Sequence, residues 1–308
     1  MVERIYTVPL TAFDTLSAGA ELSVAAGAIT VNAVNKILYM GKYATERIYG
    51  GLFIYSGDIW AILNLGTKIL KYKTSDLTAN GVINLVYGGV NVAGNDKLKY
   101  IYTDGINIYG LLTIGDPHVI VWDMTGAFVR EQTADGVTPG VQSPWAMVSD
   151  GTHLYITDWT DRSVKKYLLD GTYVDKSATN SIPVAPASMC IGTVSGNLYV
   201  CDRIGGYLAE INPATLAAGA IIRNLDGGAI SQLSGQIEGE GPDRLFMTPH
   251  YYGVTIRGVV HDADERGGFC RYYGRSDTPG VRKPGDLQQG HGCFIGFDGN
   301  YLYIWDGA

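Results

Sequence analysis

One short phrase recurs along this chain at a nearly constant spacing, and that recurrence limits the possible folds more than any other feature. It is a turn ending in Gly, followed by an alternating apolar run rich in Tyr. It reads Ser56-Gly57-Asp58-Ile59-Trp60-Ala61-Ile62, then Asp104-Gly105-Ile106-Asn107-Ile108-Tyr109. It returns as Asp150-Gly151-Thr152-His153-Leu154-Tyr155-Ile156, as Ser195-Gly196-Asn197-Leu198-Tyr199-Val200, and as Asp298-Gly299-Asn300-Tyr301-Leu302-Tyr303-Ile304. A weaker copy is Gly241-Pro242-Asp243-Arg244-Leu245-Phe246-Met247. The Gly anchors at 57, 105, 151, 196, 241 and 299 are separated by 48, 46, 45, 45 and 58 residues. Gly accepts the positive φ that tight hairpins need, so each copy reads as a turn between two strands.

A period near 45 residues suits four short strands per unit, the size of a propeller blade. One repeat displays the whole unit. Pro144–Val148 reads as its inner strand, His153–Thr157 as the second and Val164–Leu169 as the third, with Asp170-Gly171 turning into an outermost strand at Thr172. Val119–Met124 followed by Thr125-Gly126 matches that third strand and turn. After the last anchor only a second strand remains, and Glu3–Leu10 aligns with Ser163–Leu168. The expectation is therefore a single all-β domain over residues 1–308: a six-bladed β-propeller whose N- and C-terminal strands close one shared blade. Insertions are expected near 24–48, as a hairpin around Lys36–Met40, and near 272–292. A partial seventh blade at 24–48 is the alternative.

Composition agrees with many short strands. Gly stands at 41 and Tyr at 21, while charged residues are 17%, below the roughly 25% of an average soluble protein. The net charge of −7 carries no basic footprint, so a nucleic-acid partner is not expected. No run of eighteen apolar residues predicts a membrane span. Met1–Tyr6 lacks a charged region followed by an apolar one, so no signal peptide is expected and the chain reads as cytoplasmic or virion-associated. The four cysteines, Cys190, Cys201, Cys270 and Cys293, are too few for a disulfide scaffold. Cys190 and Cys201 flank the Ser195-Gly196 turn. They are read as two buried thiols, with a cross-strand disulfide as the other possibility.

The repeat resembles the NHL/YVTN class of propeller repeats. The residues that carry the resemblance are Asp150–Asp158, then Arg162–Tyr167, then Asp170-Gly171, with Gly196–Asp202 as a second match. It covers about residues 100–225 and implies a fold more than a function, because propellers host enzymes, sensors and scaffolds.

Candidate sites follow from the blade plan. Polar residues cluster where second strands end: Asn64, Asp116, Asp158, Asp202 and Asp306. A ring of such oxygens suits Ca²⁺, so Asp158, Asp202 and Asp306 are the candidate metal ligands. The competing reading is that each Asp accepts N–H bonds within its own turn. His118 and His250 fall between second and third strands and are candidates for acid–base work, as in a lyase or lactonase. The most distinctive stretch is basic and punctuated by Gly and Pro: Arg271, Tyr272, Tyr273, Arg275, Arg282, Lys283 and His291. Tyr with Arg is typical of binding hot spots, so this stretch is read as a loop contacting a protein or glycan. The recurring Tyr55, Tyr109, Tyr155, Tyr199 and Tyr303 are expected to pack between blades with their hydroxyls bonded at the rim. The leading functional reading is a non-enzymatic binding or scaffold propeller in a virion or extracellular assembly, with homo-oligomerisation in view. The alternative is a lyase or lactonase-type enzyme with a channel-mouth site.

Overall fold

The computed structural model describes residues 48–223, apart from segments 64–67, 76–78, 88–89, 92–97, 113–118, 133–140, 183–185, 193–194 and 203–206. Outside that span it describes the backbone of strands alone. Blade A consists of Ile48–Tyr55, Asp58–Leu63, Lys68–Lys73 and Ala79–Asn84. Blade B consists of Leu98–Thr103, Asn107–Leu112, Val119–Asp123 and Phe128–Gln132. Blade C consists of Pro144–Ser149, His153–Asp158, Ser163–Leu168 and Tyr173–Lys176. Blade D consists of Pro186–Ile191, Leu198–Asp202, Tyr207–Ile211 and Ala218–Arg223. Each is an antiparallel sheet whose strands pair in chain order. Blade C lies within a residue or two of the strand limits read from the sequence.

Alternation along each strand explains how the blades stack. Successive side chains point to opposite faces of a sheet. In blade B, Ile108, Ile120 and Trp122 join a core with Trp60, Ile62 and Ile69 of blade A. The residues between them, Tyr109, Val119 and Val121, face the other way and pack with Met147, Leu154, Ile156 and Tyr167 of blade C. Blade C repeats the division: Tyr155 and Val164 pack with Met189, Leu198, Val200 and Ala209 of blade D. Second and third strands are thus covered on both faces, which is why His153–Asp158 is buried at five successive positions while Tyr173–Lys176 is exposed at three of four.

Hydrogen bonds tie each of these junctions. Trp122 Nε1 donates to the Val86 carbonyl at 2.7 Å, joining B to the segment after blade A. An Arg130 guanidinium nitrogen donates to the Leu169 carbonyl of blade C at 2.8 Å. Lys166 Nζ donates to the Pro213 carbonyl of blade D at 2.9 Å and lies over the Tyr155 ring.

Two further four-stranded sheets lie outside this run in sequence. One comprises Ile237–Gly239, Arg244–Met247, Val260–Asp264 and Phe269–Tyr273. The other takes strands from both ends of the chain, in the order Cys293–Phe297, Tyr301–Asp306, Glu3–Pro9, Ile37–Met40. Arg4 pairs with Asp306, and Ile5 with both Trp305 and Leu38. The expected count of six blades, or seven, is corrected here: the described residues hold four blades with packed faces, A to D. Sequence periodicity registers every recurrence of a hairpin turn, but it carries no record of whether the sheet that follows packs like its neighbours. The seventh-blade alternative fails for a simpler reason. Ile37–Met40, expected as an inserted hairpin, pairs with Glu3–Tyr6 as the outermost strand of the terminal sheet.

Candidate functional site

The recurring turn is itself a hydrogen-bonded device. In blade C, Asp150 Oδ1 accepts the N–H groups of Thr152 and His153 at 2.8 and 2.7 Å. Its Oδ2 accepts the Tyr155 hydroxyl at 2.8 Å and lies 3.1 Å from His153 Nδ1. Blade B repeats this with Asp104, which accepts N–H bonds from Ile106 and Asn107 and the Tyr109 hydroxyl at 2.9 Å. In blade D, Ser195 Oγ and the Tyr199 hydroxyl are 3.2 Å apart. The expected bonding of these Tyr hydroxyls therefore holds for Tyr109, Tyr155 and Tyr199. Burial raises the Asp150 carboxyl, but bonds from His153, Thr152 and Tyr155 outweigh it and hold it at about 2. Burial, reinforced by the Asp150 carboxylate, pushes the Tyr155 phenol up.

The opposite end of blade C, where the inner strand begins and the second strand ends, carries the richest polar arrangement. Asp158 is fully buried there. Its Oδ2 accepts the Gln142 N–H and the Lys165 ammonium, both at 2.8 Å, and its Oδ1 accepts the Thr160 N–H at 2.9 Å. Lys165 comes from the third strand opposite Ile156, and its side chain is 3% exposed. Asp161 Oδ2 lies 3.8 Å from Lys165 Nζ and 3.2 Å from Lys176 Nζ, and Ser163 Oγ donates to Asp161 Oδ1. Two ammonium groups and two carboxylates are thus linked, which compensates the cost of taking Lys165 and Asp158 out of water.

This network fixes the backbone around it. Trp159 donates its N–H to the Ser143 carbonyl at 2.9 Å, and the Ala146 N–H reaches Thr157 Oγ1 at 2.9 Å. The two segments so joined present Trp145 and Trp159, half-buried, with ring centroids 5.2 Å apart and planes at 63°.

Of the two readings of the Asp ring, the local one describes Asp158, which accepts the N–H of Thr160 within its own turn and a lysine besides. Asp202 and Asp306 end the second strands of blade D and of the terminal sheet, paired with Pro186 and with Cys293 and Arg4. Arg271, Tyr272 and Tyr273 lie on a strand, the outermost of its sheet, rather than in a connection. His118, His250, Asn64, Asp116, Arg275, Arg282, Lys283 and His291 lie outside the described residues. Among the described residues no three His, Cys, Asp or Glu side chains are grouped to hold a metal ion. Nor is any helix there long and apolar enough to cross a membrane. Cys190 and Cys201 are both buried thiols. Cys190 stands opposite Tyr199 and Cys201 opposite Ser188, so the register keeps the two sulfurs from facing each other across the hairpin.

Sequence reasoning missed the Lys165–Asp158 pair and the Trp145–Trp159 pair. The signal for the first was present: Lys165-Lys166 interrupts a strand that is otherwise apolar and central to its sheet, and a lysine there needs an internal partner.

No protein-family model matches the chain, and no curated protein matches it. Solved structures do. A chain of the nidogen/laminin complex aligns with a TM-score of 0.58 at 15% identity, over 89% of this chain and 93% of that one. A streptogramin B lyase aligns with a TM-score of 0.56 at 16% identity, over 89% of this chain and 84% of that one. Hydrazine synthase of Kuenenia stuttgartiensis gives 0.55 at 14% identity, over 86% and 76%. At these identities the likeness shows the fold alone: a β-propeller. The propeller part of the expected resemblance is supported, and the NHL-type repeat itself is not confirmed by any family model.

Proposed function

We propose that this propeller binds or scaffolds a protein or glycan partner and performs no catalysis, as part of a virion or extracellular assembly. One observation carries the reading. Asp158, at the blade end where a channel-mouth metal or acid–base site would draw its carboxylates, is already held through both oxygens by Lys165 and by backbone N–H groups. To recruit it, a metal ion would have to displace a buried ammonium. A second observation agrees. The outer strands of blades A, B and C display apolar residues to solvent: Val82, Phe128, Val129 and Val174 are each 43–51% exposed. They stand on three separate blades, so each would give a partner a local apolar contact rather than one continuous patch.

The stretch 271–291 supplies further partner-contacting residues in this reading. The test combines two assays on the whole chain. Binding to a printed glycan panel and self-association by light scattering are measured with and without residues 275–290. Hydrolysis and elimination are assayed on lactone and cyclic-ester substrates with Ca²⁺. Partner binding or assembly without turnover is expected. Turnover that disappears in His250→Ala or His118→Ala overturns the proposal in favour of a lyase or lactonase.

A further inference from the structure

The end of blade C carries a ligand-binding geometry that none of the partner-contacting residues read from the sequence includes. We propose that Trp145 and Trp159 form a platform that stacks a pyranose ring of a glycan, with Gln142 and Thr160 bonding to its hydroxyls. The inference rests on the binding reading above and narrows it to one ligand class and one place.

Four features of the geometry support a sugar. First, the two indoles are half-buried and set edge-to-face at 63°, so they form a step. A pyranose has a C–H face that lies on an aromatic ring and a rim of hydroxyls pointing sideways. Apolar walls with a few placed polar groups are the general form of a small-ligand site. Second, the flanking exposed side chains are neutral. Gln142 offers an amide and Thr160 a hydroxyl, and their N–H groups are both fixed by the Asp158 carboxylate. Third, of the charges nearby, Lys165 is matched to Asp158 and Lys176 to Asp161, while Arg162, two residues past Thr160, is half-buried. Such a surface suits a neutral polyhydroxylated ligand better than a charged peptide. Fourth, the backbone that carries the platform is fixed. The bonds from Trp159 N–H to Ser143 and from the Gln142 and Thr160 N–H groups to Asp158 hold both segments before any ligand arrives. Little ordering then remains to oppose binding.

The test titrates the full chain with chitotetraose, cellotetraose and β-1,4-galactotetraose, read by intrinsic tryptophan fluorescence and calorimetry, beside a printed glycan panel. At least one saccharide is expected to bind and to shift the emission. Affinity should fall tenfold or more in Trp145→Ala and Trp159→Ala and less in Trp159→Phe, which keeps an aromatic face. It should stay within twofold in Ile106→Ser, at the exposed turn on the opposite end of blade B. Circular dichroism and melting confirm that each variant folds. Saccharide binding that survives Trp145→Ala/Trp159→Ala but is lost on removing 275–290 overturns the platform while leaving the wider reading intact. The platform is equally overturned if no saccharide binds but the chain still assembles or engages a protein. Saccharide turnover would overturn both.

Discussion

The Lys165–Asp158 contact sets what single residues contribute here. Removing one partner of a buried pair leaves the other charged and unmatched, at a cost of about 3–5 kcal/mol. Asp158→Asn and Lys165→Met are each expected to destabilise by that order in urea unfolding. The double variant Asp158→Asn/Lys165→Met should lose clearly less than the two together, because it leaves no unpaired buried charge. Gly126 gives a second prediction. Its φ is +90°, and a Cβ there would fall 2.0 Å from the Asn84 carbonyl oxygen, which is backbone and cannot yield. Gly126→Ala should therefore lower the melting temperature sharply, through a loss of about 1–3 kcal/mol or more. Gly196, also at positive φ but with nothing near its Cβ, carries only the backbone cost and should tolerate Asn.

At the scale of elements, the Asp–Tyr turn couples blade stability to pH. The Asp150 carboxyl sits at about 2 in the folded chain against an ordinary value of 3.8. Its stabilisation is complete above the ordinary value and is lost as pH falls from about 4 towards 2. Tyr155 is shifted the other way, above its ordinary 10.0. Its contribution is complete below that ordinary value and is lost as pH rises beyond it. A plot of melting temperature against pH should therefore fall at both ends, and Asp150→Ala should flatten both limbs. Such turns, and the strands they join, were legible in the sequence because their causes are local: Gly at positive φ, Asp two or three residues before the N–H groups it accepts, and alternation that sends Ile108 and Tyr109 to different neighbours. Asp158 was visible as a residue but not as a bonded group, because its partner arrives from the next strand through antiparallel register. The tryptophan pair was invisible for a similar reason: Trp145 and Trp159 meet only when the inner and second strands zip together. The blade count was less legible, because recurrence of a turn does not by itself report how the sheet that follows it packs.

For the molecule as a whole, the bonds across blade junctions decide how the stack yields. Trp122 fills the A–B core and donates to the Val86 carbonyl, while the Val86 N–H bonds to Gly126. Trp122→Phe leaves that carbonyl without its indole donor, at a cost of about 1–3 kcal/mol, and opens a void within the A–B core. Hydrogen exchange should then quicken at Val86 and along the facing strands of A and B, while the C–D junction keeps its protection. Uniform quickening across all four blades would mean that the stack opens as one unit. The terminal sheet bears on the order of events in time. Glu3–Pro9 has an early neighbour in Ile37–Met40, but its other edge pairs with Tyr301–Asp306. About 290 residues separate that second neighbour from Glu3–Pro9 in sequence, so it is made long after the strand it pairs with. Until Tyr301–Asp306 is made, Glu3–Pro9 waits with one edge unpaired, open to the wrong partner. A nascent chain of this design therefore depends on something to shelter that edge, or on blades A to D folding first and keeping it at a distance from other chains.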